Sequence, residues 1–312
     1  MLELAKVVED MRAAPSMRRK LYFLSPVLMA AAFDLYEGFG MRHVRVFARR
    51  LVGQKPNGPT EDYATKTRER FEALGLDKLE KVMVLDGPFK GMIYGDFAHS
   101  SPIMPKILGV YESEIHPWIN EAISTDYDCV INVGSAEGYY AVGFAYAKPG
   151  LEVFAFDSGE ATDRMVPKLA ALNNLQKAVH KGGLCPPAVL ESIASQRARP
   201  LLFVDIEGAE DALLDIKNAP ALRYCDIIVE THDVYNAGVT RRLIDRLWAT
   251  HRFEVIAGHE DEQRPLPEFV KERIADPGLA RMFVSEFRGM PQLYVRFKSR
   301  TPRTSVEHAI QL

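Results

Sequence analysis

The spacing of hydrophobic positions changes near residue 80. Before it, apolar side chains recur at three- and four-residue steps: Leu2, Val7 and Met11, then Leu21 to Tyr36, then Val44, Phe47 and Leu51. That period gathers them on single faces of helices. A Gly/Pro/Asn-rich break lies between Val52 and Pro59, and a charged helix is expected from Glu61 to Leu74. Residues 1–80 therefore read as an N-terminal helical extension without a catalytic pattern, suited to cover a site or to form a homo-oligomer contact. From Lys81 to Gly95 two β runs flank Asp86-Gly87-Pro88-Phe89-Lys90-Gly91, the pattern of a β-hairpin.

After a further helix expected from Ser113 to Ile123, short apolar runs alternate with helical ones. Strands are expected at Val130–Val133, Leu151–Phe156, Ala178–His180, Leu201–Val204, Asp226–Val229, Phe253–Ile256 and Gln292–Phe297. Helices are expected from Gly138 to Lys148, at Thr162–Leu175, at Val189–Ser195, from Leu213 onward and at Thr240–Thr250. Pro167 should kink its helix or sit in the first turn. Residues Gly258–Arg288 read as a polar insertion with one or two helices. The run Leu201-Leu202-Phe203-Val204 is apolar throughout, as in a strand buried on both faces. The alternation predicts an α/β domain over residues 81–312, a doubly wound, mostly parallel sheet that receives ligands at the C-terminal ends of its strands.

Composition mainly excludes. A chain of 312 residues holds one large domain and an appendage. The formal net charge of -3 gives no reason to expect a nucleic-acid partner, and basic clusters such as Arg18-Arg19-Lys20 read as solvated helix faces. Cys129, Cys185 and Cys225 show no paired spacing, which fits a reducing cytoplasm. The apolar stretch Leu21–Phe33 is too short to span a bilayer and is closed by Asp34 and Glu37, so no stable membrane insertion is expected.

The candidate chemistry sits where strands end. After Val130-Ile131-Asn132-Val133 the chain turns through Gly134, Ser135, Ala136 and Gly138 into a helix beginning near Tyr139. Such a turn lets a ligand approach the backbone, and the helix start offers free N–H groups. The next strand ends in Asp157 and Ser158, placing a carboxylate able to accept both hydroxyls of a ribose beside that turn. A dinucleotide fingerprint needs glycines at its first, third and sixth positions, which are here Gly134, Ala136 and Tyr139. The spacing Gly134-x-x-x-Gly138 instead suits a ligand without a pyrophosphate, and S-adenosylmethionine is the candidate. His180, Lys181 and Gly182 close the third strand, where an adenine could lie. The fourth strand runs into Asp205-Ile206-Glu207-Gly208-Ala209-Glu210-Asp211 and the fifth into Glu230-Thr231-His232-Asp233.

Taken in order, Val130 to Gly138 with Asp157, Phe203 to Glu210, and Ile227-Ile228-Val229-Glu230 resemble the FkbM-like family of class I S-adenosylmethionine-dependent methyltransferases. The likeness covers roughly residues 81–300. Two positions depart from it: Asn132 stands where class I enzymes usually carry an acid, and Ala136 where they carry the middle glycine. The resemblance implies a seven-stranded Rossmann-like sheet and methyl transfer to a hydroxyl of a sugar, polyketide or other small metabolite. It implies that Gly134, Ala136 and Gly138 underlie the methionine moiety, with Asn132, Ser135 and Tyr139 beside them. Asp157 and Ser158 would hold the ribose, residues from His180 to Gly182 would border the adenine, and Asp205 would face the reacting methyl.

A hydroxyl acceptor must also lose its proton. His232 is the base by type, with an unperturbed pKa of roughly 6.5; Asp205, Glu230 and Glu207 come next. Neighbouring fourth and fifth strands would bring Asp205, Glu230, His232 and Asp233 together, a set that could hold a divalent cation such as Mg2+, although proton transfer without a metal is the preferred reading. Two rivals differ in class. A catalytically degenerate cofactor-binding or scaffolding relative is kept open by Asn132 and Ala136. A nucleic-acid methyltransferase is disfavoured, because Asp205-Ile206-Glu207-Gly208 lacks the Asp/Asn-Pro-Pro-Tyr/Phe run of enzymes that methylate base amino groups.

Overall fold

The computed structural model describes residues 69–301 apart from 80, 96, 100 and 289–291, all within one compact unit, Thr67–Leu312. The helices expected before residue 69 lie outside the described residues. Seven strands form one sheet: β1 (Cys129–Val133), β2 (Glu152–Phe156), β3 (Val179–Gly182), β4 (Pro200–Val204), β5 (Asp226–Thr231), β6 (His251–Ala257) and β7 (Leu293–Ser299). Their order is β3-β2-β1-β4-β5-β7-β6. The first five strands pair in parallel, and β7 runs antiparallel to both β5 and β6. This is the doubly wound, mostly parallel α/β sheet that the alternation predicts.

Burial follows the sequence pattern. β1, β4 and β5 are buried at every position and read as nearly unbroken apolar runs, whereas β6, at the edge, is largely half-exposed. The chain leaves β1 for β2 on one side and later places β4 on the other. The order therefore reverses between β1 and β4, and in open α/β sheets ligands bind outside the C-terminal strand ends at such a reversal.

Several elements differ from expectation for local reasons. β5 continues through Glu230 and Thr231 because β7 supplies partners for them at Tyr294 and Leu293. The helix expected from Leu213 onward is one short turn, Glu210–Leu213, followed by a 3-10 turn over Pro220–Tyr224; Pro220 has no N–H with which to continue an α-helix. Pro167 lies inside the helix Thr162–Leu172, beyond its first turn. The hairpin narrows to a single bridge between Met83 and Ile93.

That hairpin is nevertheless tightly held. Phe89 at its turn is buried against the helix Tyr139–Ala147, where a Cβ on Gly143 would lie 2.5 Å from the Phe89 ring. Burying such a side chain contributes about 1.5–3 kcal/mol. Asn173 anchors the other strand, accepting from Ile93 N–H at 2.8 Å and donating to Ile93 O at 2.8 Å. No helix among the described residues is long and apolar enough to cross a membrane.

Candidate functional site

The turn after β1 adopts the conformation its small residues allow. Gly134 and Gly138 have φ of 84° and 102°, and Ala136 shares the left-handed region at 45°. At Gly134 no side chain fits, since a Cβ would lie 1.6 Å from Asp205 O. The end of β4 thus presses directly on the turn. From the other side Asp157 grips it, accepting from Ala136 N–H and from Gly159 N–H, each at 2.8 Å. Behind the turn Glu137 is fully buried; it accepts from Tyr94 OH at 2.6 Å and pairs with Lys106. Sequence reasoning missed Glu137, because its partners lie 43 and 31 positions away and leave no local signal.

Two polar atoms at this turn are left open. Asn132 Oδ1 and Ser135 Oγ are buried and make no hydrogen bond among the described residues, while Asn132 Nδ2 donates to Phe203 O at 3.3 Å. A buried polar atom without a partner costs about 1–3 kcal/mol. A polar ligand supplying those bonds would recover that cost on binding.

The other expected cofactor contacts divide. Lys181 reaches the Asp157 neighbourhood, with its Nζ 3.3 Å from Asp157 O and 2.9 Å from Asp163 Oδ1. Gly182 lies under the Phe156 ring, where a Cβ would come within 2.4 Å, and Ser158 is exposed. His180 points elsewhere: its ring stacks on Phe154 and its Nε2 meets Glu152 Oε1 at 2.9 Å, at the start of β2. Tyr139 is turned into the core, edge-on to Phe89, Tyr94 and Tyr111. Alternation along a strand and the helix face decide these two directions.

At the ends of β4 and β5 the carboxylates gather around His232, which is buried. Its Nδ1 donates to Glu210 Oε1 at 2.6 Å. Its Nε2 faces Asp205 Oδ1 at 3.5 Å, Glu207 Oε2 at 3.6 Å and Glu230 Oε1 at 3.8 Å. Glu207 reaches this position from a left-handed backbone, φ 54°, followed by Gly208 at 102°. Asp205, Glu207, Glu230 and His232, the four candidate catalytic residues, therefore lie together, and Glu210 joins them through His232 Nδ1. Asp233 turns away to Thr240, accepting from its N–H at 3.4 Å and pairing with its hydroxyl, and so ties down the start of the helix Val239–Leu247. In this cluster Asp205 Oδ1 and Glu210 Oε2 are also buried without a hydrogen bond among the described residues.

A second layer of charge backs the cluster. Arg288 pairs with Glu112, Glu230 and Glu286, and Arg264 with Glu286 and, at 3.7 Å, Glu114. Tyr140 OH donates to Glu112, which itself has φ 50°. Acids outnumber cations here, and protonation follows from that excess. Burial, reinforced by Glu112 and Glu207, pushes Asp205 up to about 8. Burial raises Glu230 well above the carboxylate range, and Asp205 adds to the effect. Burial also lifts Glu286 to about 7 against the pull of Arg288 and Arg264. Burial alone would lower His232, but Glu210, Glu230 and Glu207 outweigh it and raise the ring. These groups titrate together, and the cluster retains protons that free carboxylates would have lost. Such a group can take up or release a proton near neutrality.

No family model and no curated protein matches this chain. Among solved structures, the chain is similar to an O-methyltransferase from Bacillus cereus in complex with SAH, at 11% identity and a TM-score of 0.41, over 75% of this chain and 91% of that one. It is similar to precorrin-6y C5,15-methyltransferase from Geobacter metallireducens at 8% identity and a TM-score of 0.35, over 55% and 79% of the two chains. A SAM-dependent O-methyltransferase from Thermotoga maritima matches at 12% identity and a TM-score of 0.34, over 60% and 66%.

Proposed function

We propose that the chain is an S-adenosylmethionine-dependent methyltransferase that methylates a hydroxyl of a small metabolite or sugar. The observation that carries this reading is the reversal of strand order between β1 and β4, where Asn132 Oδ1, Ser135 Oγ and Asp205 Oδ1 all lie buried near the strand ends without hydrogen bonds among the described residues. The ordered motifs of the FkbM-like resemblance fall at those C-terminal strand ends. Asn132 and Ser135 suit the charged amino-acid end of the cofactor. A carboxylate has about four lone-pair sites; Asp157 spends two on Ala136 and Gly159 and keeps others for ribose hydroxyls. Ala136 in place of glycine adopts the same left-handed backbone, at a cost of about 1–2 kcal/mol, which favours a working turn over a degenerate one.

Bound S-adenosylmethionine supplies an electrophilic methyl group. The chain itself must align the acceptor oxygen with that methyl and keep water out. It must also receive the hydroxyl proton, a task suited to the proton-sharing group of Asp205 and His232 at the same strand ends. Cys129, Cys185 and Cys225 are all buried, and cysteines without paired spacing suit a reducing compartment such as the cytoplasm.

The test is incubation of the full chain with methyl-labelled S-adenosylmethionine and a panel of sugars and other hydroxylated small molecules. The expected result is label in one acceptor with equimolar S-adenosylhomocysteine, reduced on the order of 100-fold in Asp205→Asn. Cofactor binding without transfer to any acceptor would favour the cofactor-binding relative instead.

A further inference from the structure

We propose that Asp205, Glu207 and His232 form a binding site for one divalent transition-metal ion, through one imidazole nitrogen and two carboxylate oxygens. One donor atom from each residue lies within 4.8 Å of the other two. Donors bound at about 2.1 Å with tetrahedral or octahedral angles sit roughly 3.0–3.5 Å apart. His232 Nε2 lies 3.5 Å from Asp205 Oδ1 and 3.6 Å from Glu207 Oε2, close to that spacing. The Asp205 and Glu207 oxygens, within 4.8 Å of each other, would be drawn together by rotation of the exposed Glu207 side chain.

Two independent features point the same way. His232 is only 2% exposed, and its Nε2 makes no hydrogen bond among the described residues; it is aimed at Asp205 Oδ1, which is itself buried and unbonded there. The opposite ring nitrogen is held by the buried Glu210, the arrangement that fixes a metal-ligating histidine in the correct tautomer. The remaining acids are otherwise engaged, Glu230 with Arg288 and Asp233 with Thr240. Glu207, 64% exposed, marks the open side from which an ion enters and a substrate oxygen completes the shell.

A mixed nitrogen and oxygen set suits Mn2+, Fe2+ or Zn2+ better than Mg2+, which holds to oxygen donors and water. If the methyl-transfer reading holds, such an ion would polarise the acceptor hydroxyl; that role rests on that reading, and the site itself does not.

The experiment titrates metal-free full chain with Mn2+ in the absence of S-adenosylmethionine, following free Mn2+ by electron paramagnetic resonance. Wild type is expected to take up one Mn2+ that excess Mg2+ does not displace. Glu207→Gln should weaken binding about 10–100-fold and Asp205→Asn should abolish it, with circular dichroism confirming that both are folded. Glu262→Gln, an exposed acid in the polar insertion, should leave uptake unchanged. Absence of saturable uptake by wild type, equal affinity in Glu207→Gln, or equal loss in Glu262→Gln would each overturn the proposal. Because the cofactor is absent, failure here leaves the methyltransferase reading standing, and the converse also holds.

Discussion

At the N-terminal ends of the parallel strands, Asp226 accepts from Tyr127 OH at 2.7 Å and Ser299 N–H at 2.8 Å. Asp128 likewise accepts from Ala198 N–H at 2.7 Å and Arg199 N–H at 3.1 Å. Arg199 Nε and Arg296 Nε lack hydrogen bonds among the described residues, but their guanidinium groups lie over Tyr127 and Trp118, 5.3 and 5.1 Å from the ring centroids. At the C-terminal ends, Asp205 Oδ1 is unbonded, acids crowd His232 and Arg288, and Glu112, Ala136 and Glu207 hold left-handed backbones. Acids at the first end are matched by donors and serve to hold the sheet together. At the other end the mismatch and strain persist because the surrounding fold over-determines them, and that is where chemistry is to be sought.

The largest effect should come from breaking the contact between the β1 turn and β4. Gly134→Ala puts a Cβ 1.6 Å from Asp205 O and should destabilise the fold by more than about 3 kcal/mol in chemical denaturation. Gly150→Ala, at the other end with a similar φ of 87° and nothing within 4 Å, should cost only about 1–2 kcal/mol. Equal costs would refute the close approach.

Next in size is the pH response of Asp205. Its folded pKa of about 8 stands above the ordinary value of 3.8, so the folded state binds the extra proton between them. Its contribution to stability is complete below about pH 4 and is lost as pH rises toward 8. Melting temperatures of wild type across that window should therefore decline more steeply than those of Asp205→Asn; parallel curves would count against a protonated cluster.

The smallest effect belongs to the balanced end. Burial would raise Glu121, but Lys298 and Arg296 outweigh it and lower its pKa below 4.5. This carboxylate stabilises above that pH and loses its contribution as pH falls through its folded pKa. Being half-exposed, Glu121→Gln should cost less than about 1 kcal/mol at neutral pH, with the opposite pH trend to Asp205→Asn.

Much of this contrast is legible in the sequence. Apolar runs place the strands, and the rule that ligands meet strand C-termini places Gly134, Asp157, Asp205 and His232 on one edge. What is not legible depends on long-range partners or on side-chain direction. Glu112 and Arg288 meet across 176 positions, and Glu137 is fixed by a hairpin tyrosine and a lysine that no pattern singles out. His180 and Asp233 have suitable chemistry at suitable positions, but a nearby Glu152 and Thr240 claim them. Glu207 enters the His232 group only because the chain turns through a left-handed residue, a choice that propensity argues against.

The central claim is that the C-terminal strand ends flanking the β1–β4 reversal bind S-adenosylmethionine. Calorimetric titration of the folded full chain with S-adenosylmethionine, beside Asp157→Asn, tests it most directly. The account predicts saturable binding to wild type, weakened on the order of 100-fold in the variant, equivalent to about 2.7 kcal/mol. No saturable binding to folded wild type, or equal affinity in Asp157→Asn, would contradict it.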